Sequence, residues 1–415
     1  MRIVYDLVLF FYSQFIRIAA IFGNQKAKNW IEGRVLWQDK LSFAINNTEK
    51  KKYWFHCASL GEFEQGRPLI EKIRSEFPDA YLVLTFFSPS GFEIRKNYSE
   101  VNYVCYLPLD TQTNAKLFVE ILNPDKTFFI KYEFWYHYFH ELKKKKKATY
   151  IVSANFRPNQ IFFKWYGGFF RSILQNVTHL FVQDKNSSRL LSDIGIDAVT
   201  VSGDTRFDRV IKITSEINSN LTLSNFKKEE LLLIAGSTWK EDEELILKEF
   251  YSKDHKRYKL IIFPHEIHEQ HLKSLEEFIY RLGGHADCVR YSAYNSSIDY
   301  KILLIDTIGI LSSAYYFADI SYVGGGFGKG IHNILEPAAH GKPILFGPEY
   351  NKFREAHELI AARGAFTFKN ESEYKRKLQQ LLGNPEEIKI AGRHSKEYVI
   401  NNAGACEIIY RSVFS

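Results

Sequence analysis

Residues Tyr322–Lys352 read YVGGGFGKGIHNILEPAAHGKPILFGPEYNK. An apolar run, Ile320–Val323, ends in Gly324-Gly325-Gly326. His332 and Asn333 then precede Leu335-Glu336-Pro337, and proline fits the first turn of a helix. Gly341 ends that helix and Pro343–Phe346 opens a second buried strand. The order strand, glycine loop, helix, strand is one βαβ unit of a parallel sheet. Glycines leave backbone N–H groups open to a phosphate, and a helix N-terminus beside them favours an anion. Glu336, in the first turn, is placed to accept ribose hydroxyls. The other reading is an ordinary βαβ corner whose glycines serve only turn geometry.

The same rhythm extends in both directions. Upstream lie Leu231–Ala235 with Gly236-Ser237-Thr238, the strand Lys259–Phe263 with Pro264-His265, and Ile302–Ile305 with Asp306-Thr307-Ile308-Gly309. An earlier series starts at Tyr53–Ala58 and continues through Tyr81–Phe87, Val101–Tyr106, Lys126–Ile130, Thr149–Val152, His179–Val182 and Val199–Val201. Strands alternating with helices at this spacing predict doubly wound parallel sheets, with functional residues at strand C-terminal ends. The polar stretch Ile213–Lys228 reads as the linker between the two series. The expectation is an α/β chain of two Rossmann-like domains facing a cleft, residues 24–212 and 213–415, with the last helix packing back on the first domain.

Residues Ile3–Phe22 are apolar apart from Arg2, Asp6, Ser13 and Arg17, which fall on one helical stripe. That pattern suits an anchor (residues 1–23) lying in one leaflet; Asp6 and Arg17 argue against a signal peptide and make a full span costly. Lys26, Lys28 and Arg34 favour a cytoplasmic headgroup surface. Across 415 residues, Lys+Arg 55 against Asp+Glu 48 gives a net charge of +7, a mild excess that suits phosphorylated ligands or an anionic membrane and calls for no nucleic acid. Cys57, Cys105, Cys288 and Cys406 are scattered without CxxC spacing, as reduced thiols of a cytoplasmic protein are.

Several side chains can carry chemistry. Glu62 lies behind Gly61 in the first turn of a helix after a strand, as a dipole-stabilising carboxylate or as a general base for an acceptor hydroxyl. Glu133 follows another strand end and can support charge at a sugar centre or pair with Lys131. Arg206 can hold a donor phosphate or carboxylate, or pair with Asp204 or Asp208. His265, His268 and His271 with Glu266 and Glu269 lack HExxH spacing and would spread around a helix, which disfavours a metal site. Lys143–Lys147 reads as a solvated charge run. No Ser-His-Asp layout, Walker loop or zinc knuckle is present.

Five segments together carry a resemblance: HCASLGEFEQGRPLI (His56–Ile70), TFFSPSG (Thr85–Gly91), SGDTRFD (Ser202–Asp208), AGSTWKEDEE (Ala235–Glu244) and GIHNILEPAAHGKPILFGP (Gly330–Pro348). In order and spacing the chain resembles the 3-deoxy-D-manno-octulosonic acid (Kdo) transferases of lipopolysaccharide assembly. The resemblance implies a GT-B inverting glycosyltransferase of the inner membrane, on its cytoplasmic face. It would move Kdo from CMP-Kdo to the 6'-hydroxyl of a lipid A precursor of the lipid IVA type, with no metal or other cofactor. It implies Glu62 as base, and Glu133 and Arg206 as the carboxylate and cation that stabilise the transition state. Pro264-His265, Ile308-Gly309-Ile310 and Asn333-Ile334-Leu335-Glu336 match the segments that hold CMP. Relatives commonly have Lys, Arg and Glu where this chain has Arg206, His265 and Ile310, and the glycine loop is one residue shorter than in enterobacterial members. The competing readings are a GT-B glycosyltransferase or epimerase using a UDP-sugar, and a non-catalytic membrane-surface protein.

Overall fold

The computed structural model describes residues 1–46, 48–215, 220–252, 258–284 and 286–415. The chain divides into two compact units, Met1–Arg209 with Ala403–Ser415, and Val210–Asn402.

The first unit is built on a parallel sheet of β1 (Lys52–Cys57), β2 (Tyr81–Phe86), β3 (Tyr103–Tyr106), β4 (Lys126–Ile130), β5 (Ala148–Ala154), β6 (His179–Val182) and β7 (Val199–Val201), in the order β3-β2-β1-β4-β5-β6-β7. These strands are apolar on both faces because helices cover both. Alternate residues of β1 therefore enter different cores. Trp54 packs with Val83, Phe118, Phe129 and Tyr138. Tyr53 and Phe55 pack with Phe63, Ile70 and Phe128. The final helix, Ala405–Phe414, lays Cys406, Ile409 and Val413 into this second core. Asp208 caps that helix, accepting from the N–H of Gly404 (3.0 Å) and Cys406 (3.3 Å).

The second unit repeats the design with β8 (Leu232–Thr238), β9 (Lys259–Pro264), β10 (Cys288–Arg290), β11 (Ile302–Leu304), β12 (Ile320–Val323), β13 (Ile344–Phe346) and β14 (Ala365–Thr367), in the order β10-β11-β9-β8-β12-β13-β14. Each sheet reverses its winding direction once, between β1 and β4 in the first unit and between β8 and β12 in the second. In doubly wound sheets, ligands bind outside the strand C-termini at such a switch point.

Two expectations shift. The polar stretch 213–228 contains a helix, Leu221–Lys227, capped by the Asn220 side chain on the Leu223 N–H (3.0 Å) and anchored by buried Leu223 and Phe226. An i, i+3 apolar pair is enough to seat one short helix amid polar neighbours. Residues 216–219 of that stretch lie outside the described residues. The glycines also have packing duties. Gly324 N–H donates to Gly236 O (2.9 Å) and Gly325 N–H to Asp242 Oδ2 (2.9 Å), so two of the three expected open donors are spent inside the protein. Gly325 has φ +92°, and a Cβ on Gly326 would lie 2.6 Å from the Gly347 backbone. Gly326→Ala is expected to destabilise the second unit by about 1–3 kcal/mol through overpacking, read as a lower urea midpoint with an unchanged m-value.

The helix Arg2–Ile21 is long and apolar enough to cross a membrane by length and composition. The N-terminal part of its polar stripe, with Tyr5, turns toward its own unit. Tyr5 OH donates to Asp110 (2.6 Å), His137 Nε2 meets Asp6 (2.6 Å), and Arg2 bonds Gln112. Asp110 is buried and also accepts from the N–H of His137 (3.0 Å) and Tyr138 (2.9 Å). Burial pushes its carboxyl up to about 6 against the pull of these donors. The opposite face is bare, with Phe15 70% and Phe22 86% exposed.

Candidate active site

Sequence and strand order place Glu62 and Glu133 on either side of the first switch point. Glu62 opens the helix Leu60–Glu76 directly after β1, and Glu133 lies in the turn after β4. The backbone N–H of Ala58 donates to Glu62 Oε2. Burial, then the Glu133 charge, raise the Glu62 carboxyl to about 7 against the Ala58 and Ser59 amides and Lys131. A carboxylate tuned to neutrality, with donors orienting one oxygen, is equipped to take a proton from a hydroxyl.

Glu133 is held from beneath. Its Oε2 accepts from Trp135 Nε1 (2.9 Å) and lies 3.3 Å from Nε2 of fully buried His56. Lys131, between β4 and Glu133, adopts φ +67°. Ser153 on β5 (φ +55°) and Ser237 on β8 (φ +53°) share that left-handed backbone, each at a register shift of its strand. Such strain concentrates at functional sites. Arg206 follows β7 and pairs with buried Asp204 (Nε to Oδ2 2.9 Å, Nη2 to Oδ2 2.8 Å), the ion pair anticipated as the alternative to a ligand contact. Burial opposes ionisation of Asp204, but the Arg206 guanidinium and Gln65 hold its carboxyl below the usual range. Tyr132, next to Glu133, feels the charges of Arg157, Asp204 and Arg206, so the Arg206 pair borders the Glu133 turn.

In the second unit, Ser237, Gly309, Leu311, Ser312, Tyr315, Val323, His332, Asn333 and Glu336 line a cavity of about 300 Å³. Asn333 bridges two features of its lower rim, donating Nδ2 to Glu336 Oε1 (2.9 Å) and accepting from Leu335 N–H (3.1 Å). Ile334 and Leu335 are buried beneath it, while Ile308 is 83% exposed and Ile310 precedes the turn of helix Leu311–Ala314. Pro264 ends β9, and the His265 N–H donates to Thr238 O (2.8 Å). The His265 ring stacks between Trp239 (centroids 4.5 Å) and His332 (4.6 Å). Trp239 Nε1 donates to His332 Nε2 (3.1 Å), which leaves the His332 proton on Nδ1. Burial, then neighbouring His265, push His332 below its ordinary value. The other histidines of that run point elsewhere: His268 caps its own helix, and His271 meets Glu243 (3.1 Å).

Of the residues expected from sequence, Glu62 and Glu133 come together at one switch point, with Arg206 nearby. Gly309, Asn333 and Glu336 share the second cavity. Reading the motifs passed over His56, Thr85, Trp135, Trp239 and His332 as site residues. His56, Thr85, Trp239 and His332 stand inside quoted motifs, and a buried-strand histidine two residues after a tryptophan was the available signal.

Known proteins resemble this chain over most of its length. Residues 36–209 match a family model described as 3-deoxy-D-manno-octulosonic-acid transferase (kdotransferase). The chain is 28% identical over 354 residues to the 3-deoxy-D-manno-octulosonic acid transferase of Aquifex aeolicus, covering 82% of this chain and 89% of that one. It is 26% identical over 363 residues to the Rickettsia bellii enzyme of the same description, covering 84% of each. Among solved structures, a UDP-GlcNAc 2-epimerase from Neisseria meningitidis bound to UDP-GlcNAc superposes with a TM-score of 0.62 at 16% identity, over 87% of this chain and 99% of that one. That likeness establishes the fold, the GT-B type with its two Rossmann-like units.

Proposed function

We propose that this chain is a Kdo transferase, an inverting glycosyltransferase that moves Kdo from CMP-Kdo to the 6'-hydroxyl of a lipid A precursor of the lipid IVA type. The observation that carries the reading is Glu62: a carboxyl at the first switch point, oriented by backbone donors and raised to about 7. In this reading Glu62 takes the hydroxyl proton as the acceptor oxygen attacks the anomeric carbon of Kdo from the face opposite the phosphate. The bond from that carbon to the phosphate oxygen breaks, and CMP departs with the electron pair. Glu133 supplies negative charge to the cationic sugar centre, and Arg206 a compensating cation.

Asn333 and Glu336, with backbone from Ile308–Ile310, Ile334 and Leu335, receive the ribose and cytosine of CMP, and Pro264-His265 borders its phosphate. The reaction so drawn uses no metal, and chelator is expected to leave turnover unchanged. The bare face of the first helix seats the protein on the cytoplasmic face of the inner membrane.

The test of the donor is thermal. CMP at about 100 times its Kd stabilises a one-site protein by about 2.7 kcal/mol, and the expected result is a rise in Tm with CMP and none with UDP. The reverse outcome overturns the donor assignment in favour of a UDP-sugar enzyme. Turnover with CMP-Kdo and a tetra-acylated lipid A precursor, read by mass spectrometry, tests donor and acceptor together.

A further inference from the structure

His56 is a polar ring in the middle of a hydrophobic sheet, and the reaction as drawn gives it no work. It is fully buried on β1, opposite Thr85 on β2 and Phe129 on β4 in strand register. A buried imidazole must match its hydrogen bonds, and this one does so through a chain. Trp54 Nε1 donates to Thr85 Oγ1 (2.8 Å), and Thr85 Oγ1 lies 2.8 Å from His56 Nδ1. His56 Nε2 lies 3.3 Å from Glu133 Oε2, to which Trp135 Nε1 also donates (2.9 Å).

The proton order follows from counting donors. If the Thr85 hydroxyl donates to Nδ1, the imidazole proton sits on Nε2 and donates to Glu133. Every donor then has one acceptor, and the carboxylate receives two N–H groups on one oxygen. If Thr85 instead donates to Phe55 O (3.2 Å), the proton sits on Nδ1, and the Nε2 lone pair shares the Trp135 Nε1–H (3.2 Å) with the carboxylate. The shorter Trp135 bond goes to the carboxylate (2.9 Å, against 3.2 Å to Nε2), which favours the first order, with the imidazole proton given to Glu133.

We infer that His56 is a positioning residue: through its Nε2–H, with a tautomer favoured by the Trp54–Thr85 pair, it holds the Glu133 side chain beside Glu62. This inference rests on the reading of Glu62 as the base. The titratable groups facing the two carboxyls are Lys131 in the turn after β4 and His56 and Cys57 on β1. Among these, His56 is the one that bonds Glu133 directly from the strand beneath it. Loss of its donor frees the Glu133 carboxylate to turn away from Glu62. The repulsion that raises Glu62 then falls, so Glu62 ionises at lower pH.

The experiment is the pH profile of kcat/KM, with CMP-Kdo and a tetra-acylated lipid A precursor, for the wild type, His56→Leu, His56→Gln, Thr85→Val and Glu62→Gln. The expected result is an acid limb near 7 in the wild type. It moves down by about one pH unit in His56→Leu and in the same direction in Thr85→Val. In His56→Gln, whose amide N–H reaches the Nε2 position, it returns toward the wild-type value. A merely structural His56 would lower the rate and leave the limb in place; an unmoved limb in His56→Leu and Thr85→Val overturns the inference. If His56→Leu does not fold, Thr85→Val and His56→Gln decide alone: a limb unmoved in Thr85→Val, or moved as far in His56→Gln as in Thr85→Val, overturns it. Glu62→Gln separates the two claims. A limb that persists there refutes Glu62 as the base, whereas a limb that vanishes there but stays fixed in the other variants refutes the role of His56.

Discussion

Glu62→Gln is expected to lower kcat by about 10²–10⁴-fold, the usual contribution of a positioned general base, while CMP still raises the Tm of the variant. Gln keeps the size and the hydrogen-bond acceptor of Glu62, so the N–H of Ala58 retains a partner and the helix start is preserved. What is lost is the ability to take a proton. The pH dependence has a definite sign. A base must be deprotonated to act, and burial and Glu133 place the Glu62 carboxyl at about 7. Wild-type kcat/KM should therefore fall about tenfold per pH unit below 7 and level off above it. Unchanged turnover in the variant removes the base assignment. Turnover lost together with the CMP-induced Tm rise points to misfolding instead.

Replacing Phe11 and Phe15 together by aspartate is expected to release the protein from membranes while leaving its fold intact. Both rings lie on the exposed face of the first helix, away from Tyr5 and Asp6. An aspartate at full bilayer depth costs roughly 2.5–3.5 kcal/mol, so the pair should lower partitioning by about 10⁴–10⁵-fold, and by less if the helix lies in the interface. Point substitution is a cleaner test than removing residues 1–22. Deletion would strip Tyr5 from buried Asp110 and weaken the first unit for reasons unrelated to lipid. Flotation with vesicles containing anionic lipid reads the outcome; undiminished co-flotation of the double variant would end the anchor reading.

The contrast between these experiments shows where sequence carries information and where it does not. Strand and helix alternation and the turn after each strand are local properties. Two parallel sheets, and the positions of Glu62, Glu133 and Glu336 at strand ends, were therefore legible from the chain. Register is not local. That His56 lies opposite Thr85, so that a threonine hydroxyl sits between a tryptophan and a histidine, depends on pairing strands 29 residues apart in sequence. The Trp239–His265–His332 stack likewise joins three different loops. The polar stripe of the first helix could be read as a stripe, but its partners Asp110, Gln112 and His137 come from more than 100 residues away. The glycine loop was legible as a tight turn, while the spending of its Gly324 and Gly325 donors on Gly236 and Asp242 was not.

The helix Ala405–Phe414 has a consequence for how the protein is made. Cys406, Ile409 and Val413 complete a core whose other members lie between Tyr53 and Phe181. A ribosome has therefore exposed nearly all of the first unit long before it delivers the last piece. Val210–Asn402 is contiguous and can close its core during synthesis. The unit begun first is thus completed after the second, and until its last helix is made its exposed apolar surface is open to aggregation.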